Sequence, residues 1–309
     1  MPCCPEINNL MEPLVSICCI TYNHALYIRQ CLDGFMMQKT DFSFEVLIHD
    51  DASTDGTADI IREYEAKYPD LIKTIYQVEN QYSKGIKISA TYNYSRAKGK
   101  YIALCEGDDY WIDPLKLQKQ VDFMENHPNY SLCFHNAIII NEFQDNEVIR
   151  FNRISQNRNV ALHEIIDVFI IPTASMFFRS DLVKTIPQWV TSIYSGDFSL
   201  ALLLANSGKM YCFKDYMSVY RRNPTGMSVL ASQGEYVCQQ HLLLLKLFDE
   251  NTQYKYHDII EHKILYLNKN IKYFKLKKKF FLLPLIIMPK FIWRPYFTNI
   301  LRTLNRYYL

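Results

Sequence analysis

Apolar runs of strand length alternate with helical patterns through the first third of this chain. Strands that alternate with helices in this way indicate an α/β fold with a parallel, doubly wound sheet. In such a sheet, ligands bind in the crevice beyond the carboxyl ends of the strands. Strand-like runs occupy residues 14–21, 44–49, 71–78 and 101–105, and the helical patterns between them occupy 25–37, 53–68 and 85–97.

The rest of the chain continues this alternation and then becomes wholly helical. The next helix is predicted at 113–127, because Asp113-Pro114 stands at its start and proline is favourable at the first helical position. Further strands are predicted at 131–140, 172–179 and 209–220, with a polar loop or hairpin at 141–159 and a short helix at 197–206. From about residue 232 the pattern is helical. We therefore expect a main domain at 1–230 and a helical C-terminal extension at 231–309.

Polar side chains follow each of the first four predicted strands at the point where the strand ends. Because the carboxyl ends of parallel strands meet at one edge of a sheet, we expect these side chains to line one crevice. They are Thr21, Tyr22 and Asn23 after the first strand, Asp50 and Asp51 after the second, Asn80 after the third, and Glu106 to Asp109 after the fourth.

The tetrad Glu106-Gly107-Asp108-Asp109 places three carboxylates within four residues. Like charges at such spacing repel one another unless a cation or hydrogen-bond donors offset them. Mg²⁺ usually takes one or two carboxylates together with substrate phosphates. A solvated acidic turn is the simpler explanation for a bare pair of aspartates. This tetrad lies between a buried strand and Tyr110-Trp111, which favours a metal and phosphate site.

Charge is distributed unevenly along the chain, although the formal net charge is only +2. Residues 262–309 contain eleven Lys and Arg and no Asp or Glu, which leaves 23 basic and 32 acidic residues before them. The nine cysteines have no metal-ligand spacing, and several lie in apolar runs, where reduced cysteine acts as a small hydrophobe. Their odd number and the absence of a signal-peptide pattern predict a reducing cytoplasm.

These motifs resemble those of the inverting nucleotide-sugar glycosyltransferases of family 2, which have the GT-A fold. The resemblance implies a Rossmann-like, doubly wound, mostly parallel sheet, a nucleotide-diphospho-sugar donor and Mg²⁺ or Mn²⁺ as cofactor. It covers roughly residues 13–225, and its motifs occur in the family's order. The matching segments are Val15 to Asn23, Glu45 to Thr57, Gly99 to Trp111 and Gly196-Asp197.

The resemblance assigns the strand ends near the start of the chain to the nucleotide. Thr21 and Tyr22, with Asn23 beside them, would cradle the base, and Asp51 would accept the hydrogen bond from the uracil imide. UDP is therefore the expected nucleotide, although a thymidine donor offers the same imide. Asp50 would shape the turn. A plain turn and helix cap also explains this segment, because Ser53, Thr54 and Asp55 all suit the cap position. We expect both interpretations to hold, with capping by Ser53 or Thr54 and nucleotide contact by Asp51.

The same resemblance maps the family's Asp-x-Asp pattern onto Glu106-Gly107-Asp108. Asp108 would bind the metal across the donor diphosphate, Asp109 would be a further ligand or orient the loop, and Glu106 would contact metal or ribose. Asp197 aligns with the catalytic base, which takes the acceptor's proton as its hydroxyl attacks C1. From the residues alone, an N-cap aspartate is the better explanation of Asp197, and the resemblance reverses that preference.

Two arginines near the end of the last predicted strand are candidates for holding the diphosphate. Arg221 and Arg222 lie where family members often carry Tyr-Arg-x-His, and Asn223 here replaces that histidine. Lys84 and Lys87 are further cationic candidates, although a solvated helix face explains both better. Trp189 is a candidate for lining the acceptor side, and core packing explains it equally well.

The basic C-terminal region admits two interpretations. An apolar run at 280–289 with basic flanks is too short to cross a membrane but suits an interface with anionic lipid. Alternatively, a helical pair packs back on the main domain. Nucleic acid is not an expected partner, because no nucleic-acid motif accompanies the charge.

The leading hypothesis is a metal-dependent, inverting sugar transferase in surface-polysaccharide or glycolipid assembly. Its acceptor would be a saccharide or lipid-linked saccharide, at the cytoplasmic face of a membrane. The alternative is a non-catalytic nucleotide-sugar-binding protein that retains the fold. A dinucleotide-dependent oxidoreductase is disfavoured, because Thr21-Tyr22-Asn23-His24 stands where the glycines of a G-x-G-x-x-G motif belong.

Overall fold

The computed structural model describes residues 12–144, 147–193, 195–223 and 234–287, with side chains as far as residue 277. One twisted sheet runs through this part of the chain. Its strands are β1 (Val15–Thr21), β2 (Phe44–Asp50), β3 (Ile72–Tyr76), β4 (Tyr101–Glu106), β5 (Tyr110–Trp111), β6 (Tyr130–Asn141), β7 (Glu147–Arg150), β8 (Arg158–Val160), β9 (Phe177–Arg179) and β10 (Lys209–Arg222).

The sheet is mostly parallel, as the alternating pattern predicts. Its strand order is β3-β2-β1-β4-β9-β6-β10-β5, and β7 and β8 pair with β6 and β10. The first four strands in this order are parallel neighbours, and β6 is parallel to β10. The short strands β5, β7, β8 and β9 are antiparallel to their partners. The parallel strands therefore bring their carboxyl ends to a common edge.

Helices cover both faces of the sheet. The helices are α1 (Ile28–Met36), α2 (Thr57–Lys67), α3 (Lys116–Asn126), α4 (Leu162–Asp167), α5 (Gln188–Thr191), α6 (Gly196–Ser207), α7 (Gly234–Asn251) and α8 (His257–Ile287). One apolar core lies between the sheet and α1 to α3, and includes Ile28, Phe35, Ile61 and Val121. The other lies against α4 to α7, with Ile165, Leu202 and Phe248 among its members. This arrangement confirms the doubly wound prediction.

Two predicted elements, at 85–97 and at 172–179, differ from the structure. Residues 85–97 form a π turn at Ser89–Asn93 and a 3₁₀ turn at Tyr94–Arg96 instead of one regular helix. The buried Asn93 side chain there donates to the carbonyl of Cys19, and such irregular turns are frequent at functional sites. The strand predicted at 172–179 is shortened to β9, because Pro172 leads into a 3₁₀ turn at Thr173–Ser175.

The start of α2 is also corrected. The helix begins at Thr57, after Gly56 with φ 95°, and the N–H of Thr57 is accepted by Asp55 Oδ1 at 3.0 Å. Ser53 does not cap α2, because its Oγ accepts the backbone N–H of Asn23 at 2.9 Å. The expectation that Ser53 or Thr54 caps this helix is therefore wrong. The following helix, α3, begins at Lys116 rather than directly at Asp113-Pro114.

The C-terminal helices pack on the sheet-bearing part of the chain. Leu244, Leu245 and Phe248 of α7 and Ile260 and Leu267 of α8 are buried in the core that also contains Trp189. Within the described residues, no helix is long and apolar enough to cross a membrane. The apolar run expected at 280–289 lies beyond the described side chains, and residues 288–309 lie outside the described residues altogether.

Candidate active site

The carboxyl ends of β1, β2 and β4 form the crevice that the sequence predicts. Thr21 is in register with Asp50 of β2, and Ile20 is in register with Glu106 of β4. The residues that follow each strand are thereby brought together, although Ile20 and Glu106 are 86 positions apart in sequence.

The turn after β1 is fixed by side chains from the turn after β2. Asn23 has a left-handed backbone with φ 54°, and its side-chain oxygen accepts the N–H of Thr54 at 2.8 Å. The N–H of His24 donates to Thr57 Oγ1 at 2.8 Å. Tyr22 is 45% exposed at the rim, so its ring is available to a planar ligand.

Gly107 allows the tetrad to pass close to the end of β1. A Cβ atom at this position would lie 2.6 Å from Thr21 Oγ1 and 3.0 Å from His24 Nδ1. Thr21 is 3% exposed, and its hydroxyl has no hydrogen-bond partner among the described residues. Only glycine fits here without displacing Thr21.

The carboxylate of Asp108 is partly exposed and has two polar neighbours. Its Oδ2 accepts a hydrogen bond from Asn223 Nδ2 at 2.9 Å and lies 3.8 Å from His24 Nε2. No hydrogen bond from the described residues reaches its Oδ1. Burial lowers the pKa of His24, and the nearby Asp108 charge opposes that change.

Asp109 is fully buried and supports the end of β10. Its Oδ1 accepts the backbone N–H of Arg221 at 2.9 Å, and its Oδ2 has no partner in the described structure. Burial, together with the charges of Asp108 and Glu106, raises the pKa of Asp109 well above its usual range. Its carboxylate is shielded from solvent, whereas that of Asp108 is not.

Arg221 is held inside the protein. Its guanidinium donates to the carbonyl oxygen of Asp108 at 2.6 Å, and stacks over the rings of Tyr27 and Tyr110 at 5.1 and 4.5 Å. It also lies 3.9 Å from a carboxylate oxygen of Glu142. Arg222 is exposed, and because side chains alternate along a strand it projects from the opposite face of β10.

Asp51 orders the segment that follows β3. One carboxylate oxygen accepts the N–H of Gln81 at 2.8 Å, and the other accepts the N–H of Tyr82 at 3.0 Å. Each carboxylate oxygen has a second lone pair, so Asp51 retains the capacity to accept a further hydrogen bond. Asp50 is also buried; it accepts the N–H of Ser53, and burial raises its pKa.

Asp197 and Glu106 line the same cavity, of about 460 Å³. Asp197 lies in the first turn of α6 and is not its N-cap, which is Ser195. The hydroxyl of Ser195 donates to Asp197 Oδ1 at 2.7 Å. Burial, with the charges of Asp108 and Asp197, raises the pKa of Glu106 to about 8. The site therefore brings together carboxylates that are 91 residues apart in sequence.

The further candidates for ligand contact, Lys84, Lys87 and Trp189, lie in three different environments. Lys84 is exposed and pairs with Glu79, as expected for a solvated residue. Lys87 is half-buried at the cavity and donates to the carbonyl of Ile193, and burial lowers its pKa. Trp189 is 8% exposed and packs against Phe248, so it belongs to the core.

The arrangement is compatible with a divalent cation that is held mainly by substrate. In the described part of the chain, no three His, Cys, Asp or Glu side chains are grouped to hold a metal by themselves. The carboxylate of Asp108 and the imidazole of His24, whose Nε2 lies 3.8 Å from Asp108 Oδ2, nevertheless offer an oxygen and a nitrogen donor beside each other. Mg²⁺ typically uses only one or two carboxylates when phosphates supply other ligands, so these residues fit such an ion.

Sequence comparison identifies the family. The model for glycosyl transferase family 2 matches residues 16–185, more than half of the chain. The chain belongs to glycosyl transferase family 2. This confirms the resemblance carried by the strand-end motifs.

Two relatives of this family 2 member illustrate the range of similarity. An uncharacterized protein of Mycobacterium tuberculosis is 40% identical over 218 residues, covering 69% of this chain and 60% of that protein. The putative teichuronic acid biosynthesis glycosyltransferase TuaG of Bacillus subtilis is 37% identical over 113 residues, covering 37% of this chain and 42% of TuaG. This chain thus spans less than two thirds of the length of these relatives.

Solved structures confirm the GT-A fold. TarS 1–349 of S. aureus, in complex with UDP-GlcNAc, has a TM-score of 0.58 at 20% identity, covering 77% of this chain and 65% of the TarS 1–349 chain. The mannosyltransferase PcManGT of Pyrobaculum calidifontis, in complex with GDP-Man and Mn²⁺, has a TM-score of 0.57 at 17% identity, covering 84% and 71%.

Sequence reasoning missed His24. The contact of its ring with Asp108 joins segments 84 residues apart, and only the parallel pairing of β1 with β4 creates it. A signal was present, since His24 directly follows the strand-end residues Thr21 to Asn23 in a segment that predicts ligand contacts.

Proposed function

We propose that this chain is a metal-dependent, inverting glycosyltransferase of the hexosyl type. It would move a sugar from a UDP-linked donor to a hydroxyl of a saccharide or lipid-linked acceptor. The observation that carries this proposal is the shared cavity of Asp197 and Glu106 beside Asp108. A base on one side of a sugar-sized space, with the diphosphate site on the other, is the arrangement that direct displacement requires.

Each side chain has a distinct task in this proposal. Asp197 takes the proton of the acceptor hydroxyl as that oxygen attacks C1, and Ser195 holds its carboxylate by donating to Oδ1. Asp108 accepts one hydrogen bond from Asn223 at Oδ2, and the remaining lone pairs of its carboxylate would hold Mg²⁺ or Mn²⁺. The bound ion would neutralise charge that develops on the leaving diphosphate. Two hydrogen bonds hold the tetrad against β10. Asp109 Oδ1 accepts the backbone N–H of Arg221, and the guanidinium of Arg221 donates to the carbonyl oxygen of Asp108.

The nucleotide would lie across the ends of β1 and β2. Tyr22 would stack on the base, and Asp51 would accept from the uracil imide with the lone pairs that Gln81 and Tyr82 leave free. UDP is favoured by this acceptor and by the ligand of the structural neighbour TarS. A role in surface-polysaccharide assembly is suggested by the teichuronic acid assignment of the relative TuaG.

We also propose that residues 1–230 form the catalytic domain and that the basic extension at 231–309 contacts anionic membrane peripherally. The five lysines at 263, 269, 272, 275 and 277 lie along α8 without any acidic residue among them. Such a segment attracts anionic lipid. Cytoplasmic membrane contact would suit transfer to a lipid-linked acceptor.

A panel of UDP-sugars with Mn²⁺ tests this function, with release of UDP as the readout. Replacement of Asp197 by Asn should lower kcat by about 10²–10⁴-fold, the usual contribution of a general base, and leave UDP affinity near that of the wild type. Asp181→Asn, at an exposed acid outside the cavity, is the matched control. Full turnover by Asp197→Asn would remove Asp197 as the base.

A further inference from the structure

The imidazole of His24 faces the carboxylate that the proposed function assigns to the metal. His24 Nε2 lies 3.8 Å from Asp108 Oδ2, and the two side chains are 17% and 13% exposed. This separation is too long for a hydrogen bond. Two ligands on one divalent ion, each at about 2.0–2.2 Å, lie up to about 4.2 Å apart. The observed separation therefore suits a pair of donors on either side of one ion.

The backbone holds the ring in this place. The N–H of His24 is bound to Thr57 Oγ1, and Asp55 accepts from both the hydroxyl and the N–H of Thr57. On the other side, the missing side chain of Gly107 leaves the space that the ring uses, since a Cβ there would approach Nδ1 to 3.0 Å. The ring is thus positioned before any ligand arrives.

Asn223, unlike His24, forms a hydrogen bond with the carboxylate of Asp108. Its amide nitrogen donates to Asp108 Oδ2 at 2.9 Å, so this nitrogen has no lone pair for a metal. Oδ2 keeps a second lone pair, and His24 Nε2 lies 3.8 Å from this oxygen. Asn223 therefore orients Asp108. The imidazole that approaches the same carboxylate is that of His24, in the turn after β1.

We propose that His24 is the nitrogen ligand of the divalent cation in this enzyme, paired with Asp108. The proposal rests on the metal-dependent function proposed above. It assigns to the β1–α1 turn a role that the sequence resemblance places near position 223. A mixed nitrogen and oxygen donor set also implies stronger binding of Mn²⁺ than of Mg²⁺, because imidazole suits transition metals better than it suits Mg²⁺.

Pulsed electron paramagnetic resonance of the full chain with Mn²⁺ and UDP tests this ligand directly. Wild-type protein should show electron spin-echo modulation from a directly bound ¹⁴N nucleus. His24→Gln should lose that modulation and bind Mn²⁺ about tenfold or more weakly, with a smaller change for Mg²⁺. His163→Gln, at an exposed histidine on α4, should retain both properties.

The outcomes separate this inference from the proposed function. Mn²⁺ that binds with UDP but shows no nitrogen modulation, or the same modulation in His24→Gln, would overturn the role of His24 and leave metal dependence intact. No Mn²⁺ binding in the presence of UDP would overturn both. If His24→Gln fails to fold, wild-type protein labelled with ¹⁵N-histidine must show ¹⁵N in place of ¹⁴N modulation, and unchanged ¹⁴N modulation would reject a histidine ligand.

Discussion

At the scale of single residues, Gly107 is the position where the backbone of the tetrad and the end of β1 come closest. Its replacement by Ala would push a methyl group against Thr21 and the ring of His24. We expect Gly107→Ala to lower the free energy of unfolding by about 1–3 kcal/mol, as overpacking does, and to weaken Mn²⁺-dependent UDP binding. Thermal unfolding and calorimetry measure the two effects.

Gly196 provides the matched control for this substitution. It is a helical glycine with no atom within 4 Å of an added Cβ and no positive φ. Gly196→Ala should therefore leave unfolding temperature unchanged or raise it slightly. If both substitutions lower the unfolding temperature equally, crowding at the tetrad is not the cause of the lost stability in Gly107→Ala.

Lys116, at the start of α3, is a fully buried lysine. Its Nζ lies 4.0 Å from the ring centroid of Trp111 and donates to Gln120 at 2.7 Å, and burial lowers its pKa from 10.5 to about 7. Between these values the unfolded chain carries a proton that the folded chain has lost. Stability should therefore rise with pH in this window, by up to about 1.4 kcal/mol per pH unit.

Comparison with Lys116→Met isolates this contribution from other titrating groups. The free energy of unfolding of wild type minus that of the variant should increase from pH 7 to pH 10, because folding must remove a proton from Lys116 and this removal costs less as the pH approaches the pKa of lysine in the unfolded chain. Denaturant unfolding at several pH values measures it. A difference that is independent of pH would mean that Lys116 has an ordinary pKa in the folded protein.

Residue roles could be predicted from sequence only in part. The strand-end position of Asp108 follows from the alternation of patterns, and the role of Asp197 follows from resemblance alone. The approach of His24 to Asp108 depends on strand order and on the missing side chain at Gly107, which no local pattern encodes. Likewise, Arg221 looks like a free cation in the sequence, but Tyr27, Tyr110 and Glu142 enclose it.

At the scale of elements, Arg221 near the end of β10 holds the tetrad against the sheet by hydrogen bonds to Asp108 and Asp109. Arg221→Met would remove the hydrogen bond to the carbonyl of Asp108 and leave Glu142 without its cationic neighbour. We expect a loss of about 1–3 kcal/mol of stability, the cost of a buried group left unpaired. Arg222→Met, at the exposed neighbour, should change stability by no more than about 0.5 kcal/mol. Chemical denaturation of both variants compares them, and equal losses would contradict the fastening role.

Strands with apolar cores were the elements that sequence predicted best. β1, β2, β4 and β6 lie close to their predicted ranges because each is an almost continuous buried run, and β10 does so although the exposed Lys214 interrupts its buried residues. The predicted helix at 85–97 became two irregular turns, since Asn93 and Arg96 bond to backbone carbonyls of neighbouring strands. Side-chain contacts of this kind override helical periodicity, and they arise only once the sheet has formed.

At the scale of the whole molecule, the C-terminal helices combine packing with a basic surface. Phe248 and Ile260 are completely buried in the core shared with α5 and α6, whereas Lys269, Lys272 and Lys275 are exposed. We expect the full chain to cosediment with vesicles that contain phosphatidylserine, and a chain lacking 278–309 to bind less. Neutral vesicles are the control, and equal binding of both chains to anionic vesicles would contradict a membrane role for the tail.

The central claim is that the strand-end crevice binds a nucleotide diphosphate through a divalent cation. Calorimetric titration of UDP into the full chain, first with Mn²⁺ and then with EDTA, tests it most directly. The account predicts binding with Mn²⁺ that EDTA abolishes, and a large loss of affinity in Asp108→Ala. UDP binding of equal strength with EDTA, or no binding in either condition, would contradict it.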